Sequence, residues 1–496
     1  MRAFRHRVVA FLPVVVILIS APSAVEAQRP PATGSCLGFV FNPAKDFVQN
    51  FNNPCFALPF NTSSGGSNES GDPDADYDDV YYQVIPGYSL IVLGQFPNAR
   101  FMSATVNDDH LAVTSRLFDY QILPLSPGMV NPFEIGAVFQ PGSTYGLTVS
   151  FGGQLGAVAQ GCETSDTTID QNFLDASQIH SGLTWLGYPN LPPGFPVHET
   201  GANAAGSIII RRYVDISNYP PAVVIVRQLS NGCAINANEA ISLNIVSVTQ
   251  SVTSSWLHQS QIKAHQQFAY TIEPKLCYKK DPQNSLGFFR SSDYIPIDNG
   301  GSTVEADVPA SSVASLVSGN TFMRVRFVLP TIPDIPCTTG QCTLTGNEDL
   351  RYMSIAFLGV HTTTGDVTLG AIDDASFVTD PNGNVTLIVG VGATPPPNAT
   401  AANGYTYYNL GAAPGYANLS RLDLRNFLPN AAFYCSGANI PFFTMEYNGQ
   451  GGFMGAYVPT VDFPTASQIP ATPAPPVRTD SCTVPPAAPP VDCNAG

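Results

Sequence analysis

Three short blocks of sequence occur twice in this chain in the same order, and this internal repeat constrains the fold more than any other feature. The first block, Ala99–His110, aligns without a gap with Leu350–His361. Further along, LTVSFG matches LIVGVG, and IRRYV matches LRNFL, with Arg211 opposite Arg425. The copies stand more than 200 residues apart, which is too far for a solenoid repeat. The sequence therefore predicts two similar domains.

Each half of the chain is built from short runs rich in Val, Ile, Tyr, Phe and Thr, separated by Gly, Pro, Asn and Asp. Examples are SIIIRRYVDI in the first half and TFMRVRFVLP in the second. This composition is typical of pleated, half-buried strands. We therefore predict an all-β fold with two tandem, internally duplicated β-sandwich domains of jelly-roll-like type. One short helix, around Ser254–Tyr270, is expected between them.

The first 27 residues have the pattern of a signal peptide. Arg2, Arg5 and Arg7 precede the apolar run Val8–Ser20, and small residues precede a cleavage point after Ala27. The apolar run is too short to span a bilayer. We expect the mature chain to be secreted and extracellular.

Changes in composition divide the rest of the chain into four segments. The tail is rich in Pro and Ala and carries too little apolar sequence to form a core. The expected segments are β-domain 1 at 28–248, a helix-bearing connector at 249–284, β-domain 2 at 285–463 and the tail at 464–496.

All ten cysteines follow the predicted cleavage point, and an even number in an exported chain predicts disulfides. Short loops favour the pairs Cys36–Cys55, Cys337–Cys342 and Cys482–Cys493. Because no second Cys or His pair stands near Cys337 and Cys342, a metal site there is the weaker alternative. The cysteines are Cys36, Cys55, Cys162, Cys233, Cys277, Cys337, Cys342, Cys435, Cys482 and Cys493.

Five N-x-[ST] sequons predict surface positions that carry glycans if the host glycosylates. In a bacterial host the same sequons would have no such meaning. They stand at Asn61, Asn68, Asn384, Asn398 and Asn418.

The chain is acidic, with a formal net charge of −16. This balance argues against nucleic acid or an anionic membrane as a partner, because both attract a basic surface. The acidic run Asp72–Asp79 departs from a calcium-binding EF-hand loop at Tyr77 and Gln83, where Gly and Glu are required. We expect a solvated loop there, with a looser calcium-binding loop as the weaker alternative. We expect no cofactor.

The repeated blocks ARFMS and LRYMS each place an arginine at the start of an apolar strand. A buried lone charge is costly, so Arg100 and Arg351 should each find a carboxylate. Asp119 follows the first block, and Asp373 or Asp374 follows the second at a comparable distance. We predict one structural Arg–Asp pair within each domain, and a substrate-binding role for the arginines is the alternative.

Enzyme motifs such as G-x-S-x-G and H-E-x-x-H are absent from the sequence. The candidate catalytic residues are His110 with Asp109, and His361, each of which has a structural role as the alternative. The candidate binding residues lie in a long Pro/Gly-rich loop with aromatic content. They are Trp185, Tyr188 and His198.

The strings QFPNARFMS, DYQILPLSPGMVNPF and NEDLRYMS resemble those of uncharacterised exported proteins of bacteria and fungi. That group carries R-[FY]-x-S and D-x-Q-I-x-P-x-x-G-x-x-N-P-F patterns. The resemblance covers the middle of each half. It implies a shared fold and carries over no functional residue, since the group has no established activity.

Two functional hypotheses follow from the sequence. The first is a secreted, disulfide-bonded glycoprotein with a binding or structural role at a cell wall or surface, recognising an extracellular polymer or protein. The second is a secreted hydrolase or isomerase with its active site in a cleft between the domains, near His110 or His361.

Overall fold

The computed structural model describes four long parts of the chain and several short pieces. They comprise most of 75–151, 205–247, 301–335 and 343–474, with residues 58–59, 61–64, 72, 171–176, 286, 288–290, 476 and 482.

The first half of the chain forms two sheets that we call A and B. Sheet A has the strand order β1-β10-β4-β7-β8, and sheet B has the order β11-β3-β9-β5-β6, with β2 paired to β3. A helix, α1 (Ala237–Ser242), lies between β10 and β11. The strands are β1 (Leu58–Pro59), β2 (Asn61–Ser64), β3 (Ala75–Gln83), β4 (Tyr88–Gln95), β5 (Phe101–Asp108), β6 (Val113–Phe118), β7 (Thr144–Ser150), β8 (Phe173–Asp175), β9 (Ala205–Tyr213), β10 (Val223–Gln228) and β11 (Val246–Ser247).

The second half forms two further sheets, C and D. Sheet C has the order β16-β15-β19-β13-β12-β20, and sheet D has the order β18-β17-β14-β21. Helix α2 (Ala310–Val317) follows β13. The strands are β12 (Phe288–Arg290), β13 (Gly301–Asp307), β14 (Met323–Val328), β15 (Tyr352–His361), β16 (Gly365–Asp373), β17 (Asn384–Gly390), β18 (Thr406–Asn409), β19 (Leu419–Phe427), β20 (Thr444–Met445) and β21 (Thr460–Asp462).

The two halves have the same topology. The order β3-β9-β5-β6 in sheet B corresponds to β13-β19-β15-β16 in sheet C, and β10-β4-β7-β8 in sheet A corresponds to β21-β14-β17-β18 in sheet D. In each half, one edge strand is parallel to its neighbour: β8 to β7 in sheet A, and β18 to β17 in sheet D. The register also agrees, because Ser103 lies opposite Arg211 and Ser354 lies opposite Arg425. The repeat seen in the sequence is therefore a repeat of structure.

Each half buries an apolar core between its two sheets, as alternation along the strands requires. In the first half, Val92 of sheet A and Met102 of sheet B belong to one buried cluster. In the second half, Val325 of sheet D and Ile355 of sheet C belong to another. Each fully buried aliphatic side chain contributes about 1.5–3 kcal/mol to folding. The prediction of an all-β fold with two β-sandwiches is confirmed.

The helix expected around Ser254–Tyr270 and the segments 1–27 and 249–284 lie outside the described residues. Sequence reasoning missed α1 and α2. The first of these is too short to show a helical period, but it has a capping residue, since the Asn236 side chain accepts a hydrogen bond from the Asn238 N–H at 2.8 Å. No helix within the described parts of the chain is long and apolar enough to cross a membrane.

Cys482 is disulfide-bonded to Cys435. The predicted pair Cys482–Cys493 is therefore wrong. Loop length alone favoured the short loop, but Cys482 lies against domain 2, where its Sγ is also 3.3 Å from the Met454 carbonyl oxygen. The bond joins residues 47 positions apart. The other eight cysteines lie outside the described residues.

Candidate functional site

Of the predicted catalytic histidines, His361 has a described position, at the end of β15 far from the junction of the two sandwiches. Strand β15 begins at Tyr352, which packs against the first domain, and ends at His361. The strand has 10 residues, so its two ends are about 30 Å apart at ~3.3 Å per residue. A site between the domains therefore does not include His361. Asp109 and His110 lie outside the described residues, as do the predicted binding residues Trp185, Tyr188 and His198.

The charged residues that converge in the structure lie at the junction of sheets B and C. Arg100 forms an ion pair with Asp374, and its Nε donates to the Ile335 carbonyl. Arg351 forms an ion pair with Asp119 at 3.5 Å. Each arginine thus crosses to a carboxylate of the other domain. The prediction of a pair within each domain is wrong, and Asp373 has no arginine partner among the described residues.

Each arginine pairs with a carboxylate of the other domain because of the way in which that carboxylate is held. Asp119 follows β6 in a 3-10 turn, and its Oδ2 accepts the Met102 N–H of its own domain at 3.2 Å. Asp374 follows β16 in the equivalent turn and accepts the Met353 N–H at 3.1 Å. Each carboxylate is therefore bound to backbone on its own side, and its charge is presented to the arginine across the junction. The side chain of Asp373 instead accepts hydrogen bonds from the N–H and hydroxyl of Ser376.

The turn that carries Asp119 takes its shape from a short polar motif. Asn131 of the NPF sequence donates to the carbonyls of Asp119 (2.6 Å) and Ile122 (2.9 Å) and accepts from the Phe133 N–H (2.8 Å). The Phe133 carbonyl in turn accepts from Arg351 at 3.5 Å. The D-x-Q-I…N-P-F pattern thus positions Asp119 toward the second domain.

Burial dominates the electrostatics of both carboxyl groups. Desolvation raises the pKa of Asp119 to about 6, although Arg351 and two backbone N–H groups lower it. Desolvation likewise raises the pKa of Asp374 to about 6 against the opposing effect of Arg100. Burial at the junction therefore places the pKa of both carboxyl groups at about 6.

An aromatic cluster fills the space between the two ion pairs. The Tyr213 ring lies 4.8 Å from Phe427 and 5.0 Å from Tyr352, and Phe101 lies 5.5 Å from Phe427. We call these four aromatic residues, with the two Arg–Asp pairs, the domain interface. Because its side chains are in contact, this region is a packed core and not an open cleft.

The backbone at the interface is strained at equivalent points in both domains. Val214 and Leu428 directly follow Tyr213 and Phe427, and have φ angles of 53° and 44°. They are the two non-glycine residues with positive φ in the described parts of the chain. A branched side chain disfavours this left-handed conformation, which therefore persists where surrounding contacts impose it. Both side chains pack against the aromatic cluster.

The acidic run Asp72–Asp79 was predicted as a solvated loop, and this is wrong. Most of it lies in β3, where Asp78 is buried and pairs with Arg212 at 3.1 Å. Asp72 is fully buried and accepts hydrogen bonds from the hydroxyls of Tyr352 (2.9 Å) and Ser354 (2.6 Å). The acidity of the run misled the prediction, because the arginine partners are far away in sequence.

A row of alternating charges on sheet C was also missed by sequence reasoning. Glu305 and Asp423 lie directly opposite each other on β13 and β19, and both are buried. Arg421 lies 3.0 Å from Glu305, and Arg425 lies 3.9 Å from Asp423. Burial lowers the pKa of Arg425, but Asp72, Asp423 and two tyrosines together raise it more, so the net shift is upward. The only sequence signal was the alternation in LSRLDLRNF.

A third polar group lies on the outer face of sheet D. Arg324 forms a two-pronged ion pair with Asp462, with one contact at 2.8 Å. Arg326 and Thr460 lie beside this pair, directly opposite each other on β14 and β21. Sequence reasoning had treated TFMRVRFVLP as an ordinary strand. Its alternation does place both arginines on one face, but Asp462, the partner of Arg324, is 138 residues away.

In the described parts of the chain, no three metal-ligating side chains come together.

No protein-family model matches the chain, and no curated protein matches it. Among solved structures, an uncharacterised protein from Burkholderia cenocepacia is similar, with 11% identity, a TM-score of 0.42 and 86% of each chain covered. A protein from Vibrio parahaemolyticus is similar with 10% identity and a TM-score of 0.34, over 86% of this chain and 97% of the other.

Proposed function

We propose that this protein is a secreted, disulfide-bonded glycoprotein whose two β-sandwiches act together in a binding or structural role outside the cell. The observation that carries the proposal is the domain interface. The region where an interdomain active site would lie is filled by aromatic contacts, and its charged groups pair with one another. Such an interface supports a single rigid unit that presents its outer surfaces to a partner.

Several features support the extracellular part of the proposal. The N-terminal sequence has the pattern of a signal peptide. The Cys435–Cys482 bond suits an oxidising environment. Of the five sequons, Asn384 and Asn398 have described side chains, and both are partly exposed. The acidic net charge favours an extracellular polymer or protein over nucleic acid as partner.

The test is expression of the full chain with a C-terminal tag in its native host or a eukaryotic secretory host. We expect the tagged protein in the medium or cell-wall fraction, with an N-terminus after Ala27 and a mass that falls on endoglycosidase treatment. Purified protein should co-sediment with cell-wall polymer or with intact cells. Retention inside the cell with an intact N-terminus would overturn the proposal.

A hydrolase is the second candidate, and one observation favours it. Glu305 and Asp423 are adjacent buried carboxylates on neighbouring strands. Cross-strand neighbours have Cβ atoms about 4.5–5.5 Å apart, and retaining glycosidases hold their two carboxyl groups about 5–5.5 Å apart. However, Arg421 and Arg425 pair with both groups, which favours the ionised form and opposes the general acid that such an enzyme needs.

The two candidates are separated by assaying the secreted protein on aryl glycosides. The matched variants are Glu305→Gln and Asp423→Asn, which keep size and remove charge. Turnover by the wild type that either variant abolishes, with folding intact, would establish the hydrolase. We expect no turnover by any of the three proteins.

A further inference from the structure

The outer face of sheet D carries an arginine, Arg326, that has no hydrogen-bond or ion-pair partner among the described residues. Alternation along β14 directs Val325 and Phe327 into the core, which leaves Arg324 and Arg326 on the opposite face. Arg324 is fully engaged, because its Nε and Nη2 bind the two carboxylate oxygens of Asp462. Arg326 therefore lies next to an acid whose two oxygens are already in use.

Arg326 is 9% exposed, and its buried Nε has no hydrogen-bond partner among the described residues. Thr460, directly across the strand pair, is 2% exposed, and its Oγ1 likewise has no partner there. A buried donor without an acceptor is costly, and a buried cation more so. Desolvation lowers the pKa of Arg326, and the opposing effect of the nearby Asp462 does not offset it. Two unused polar groups thus adjoin one another at a protected position.

The first domain shows that the fold does not need these polar residues. Its register is equivalent, because Val92 pairs with Leu147 as Val325 pairs with Leu387. The backbone agrees, since the Phe96 N–H donates to the Ser143 carbonyl as the Leu329 N–H donates to that of Gly383.

This register places Leu93 at the position of Arg326, and Val223 at that of Thr460. Ile91 and Ile225 occupy the positions of Arg324 and Asp462. In domain 1 these four residues form a buried apolar cluster. The same surface is therefore stable when it is entirely apolar.

We propose that Arg326 and Thr460 form a binding subsite for a carboxylate group of the extracellular ligand. The Nε and a terminal nitrogen of a guanidinium match the two oxygens of a carboxylate, and a threonine hydroxyl supplies a third donor. With Asp462 set against the two arginines, the local charge is one positive unit, which matches a monoanion. Acidic sugar residues and acidic side chains both present this group. The inference rests on the proposed binding role for its ligand class.

The experiment is thermal melting of the full secreted chain with sodium glucuronate as the probe, at constant ionic strength set with sodium chloride. We expect glucuronate to raise the melting temperature progressively, because a ligand that binds only the native state stabilises it. The Arg326→Leu variant should lose this shift. Leucine is the residue that domain 1 has at the equivalent position, Leu93. The variant should also melt higher than wild type without ligand, since sites are often held at a cost in stability.

Thr460→Val should reduce the glucuronate shift, and Arg116→Leu, which removes a positive charge on domain 1, should retain it. Equal shifts in wild type and Arg326→Leu would overturn the site. So would a response to sulfate or phosphate with none to glucuronate, or an Arg326→Leu variant that melts far below wild type. A glucuronate shift that depends on Arg326 in a protein retained inside the cell would reject secretion and leave the site standing.

Discussion

Two buried ion pairs join the two domains of this molecule. Arg100 and Arg351 occupy equivalent positions, and each is neutralised by a carboxylate of the other domain. Removal of one partner leaves the other charge buried and uncompensated, which costs far more than the net contribution of the pair. The cost of substituting one member of a pair therefore depends on whether its partner stays buried and charged.

Arg351→Met should lower the free energy of unfolding by about 3–5 kcal/mol, because Asp119 is fully buried and loses its cation. Asp119→Asn should also destabilise. The double variant should lose less than the sum, with a coupling of about 1–3 kcal/mol. Urea unfolding of the four proteins provides the cycle. Strictly additive losses would mean that the pair contributes nothing, and Arg116→Met serves as the control for an arginine outside the interface.

The interface carboxyl groups should also make stability depend on pH. Their native pKa values, about 6, lie above the ordinary value of 3.8. The folded protein therefore binds more protons than the unfolded chain between pH 4 and 6, and these groups stabilise it below that window. Their contribution is lost as pH rises through about 6.

We expect the wild type to lose stability relative to the Asp119→Asn/Asp374→Asn variant as pH rises from about 4 to 7, by on the order of 3–5 kcal/mol for the two groups together. Melting curves of both proteins at matched ionic strength measure the difference. Parallel curves across this range would show that neither carboxyl group has a raised pKa.

At the scale of elements, the turn after β6 decides where Asp119 points. Asn131 makes three hydrogen bonds that tie residues 119–122 to the following segment. A side chain in this role replaces backbone pairing that the turn cannot supply for itself. The motif is therefore a structural determinant of the contact between the domains.

Asn131→Ala should lower the free energy of unfolding by about 2–4 kcal/mol, because two buried carbonyls and one N–H lose their partner. It should also weaken the coupling between Arg351 and Asp119. The matched control is Asn347→Ala, at an exposed position, which should change stability by less than ~0.5 kcal/mol. Urea unfolding of both variants is the measurement, and similar midpoints would reject this role for Asn131.

Sequence reasoning succeeded where information was local and failed where it was not. The period of two in runs such as SIIIRRYVDI predicted the strands, and the repeated blocks predicted two like domains. The residues Arg100, Arg351 and Asp119 were correctly chosen as charged partners. Which domain supplied each partner was not predictable, because an interface between two similar halves has the same local sequence in either arrangement. For the same reason, the tertiary partners of Asp72 and Asp78 left no mark in the acidic run itself.

At the scale of the whole molecule, the domain interface predicts that the two halves remain together without a covalent link. The test is to cleave the chain at a protease site inserted in the connector at 249–284. The fragments should co-elute at the size of the intact chain, because aromatic contacts and two ion pairs join them. The Arg100→Ala/Arg351→Ala protein should release its halves after cleavage. Size-exclusion chromatography distinguishes the outcomes, and separation of wild-type fragments would show the interface to be weak.

The exchanged arginines have a consequence for mass action. Each half presents the same kind of surface to the other, as the two subunits of a symmetric dimer do. Joining them in one chain makes their association independent of protein concentration. The same surfaces also allow domain 1 of one molecule to meet domain 2 of another, with every interface contact preserved. A swapped dimer of this kind would form only at high concentration and would dissociate on dilution.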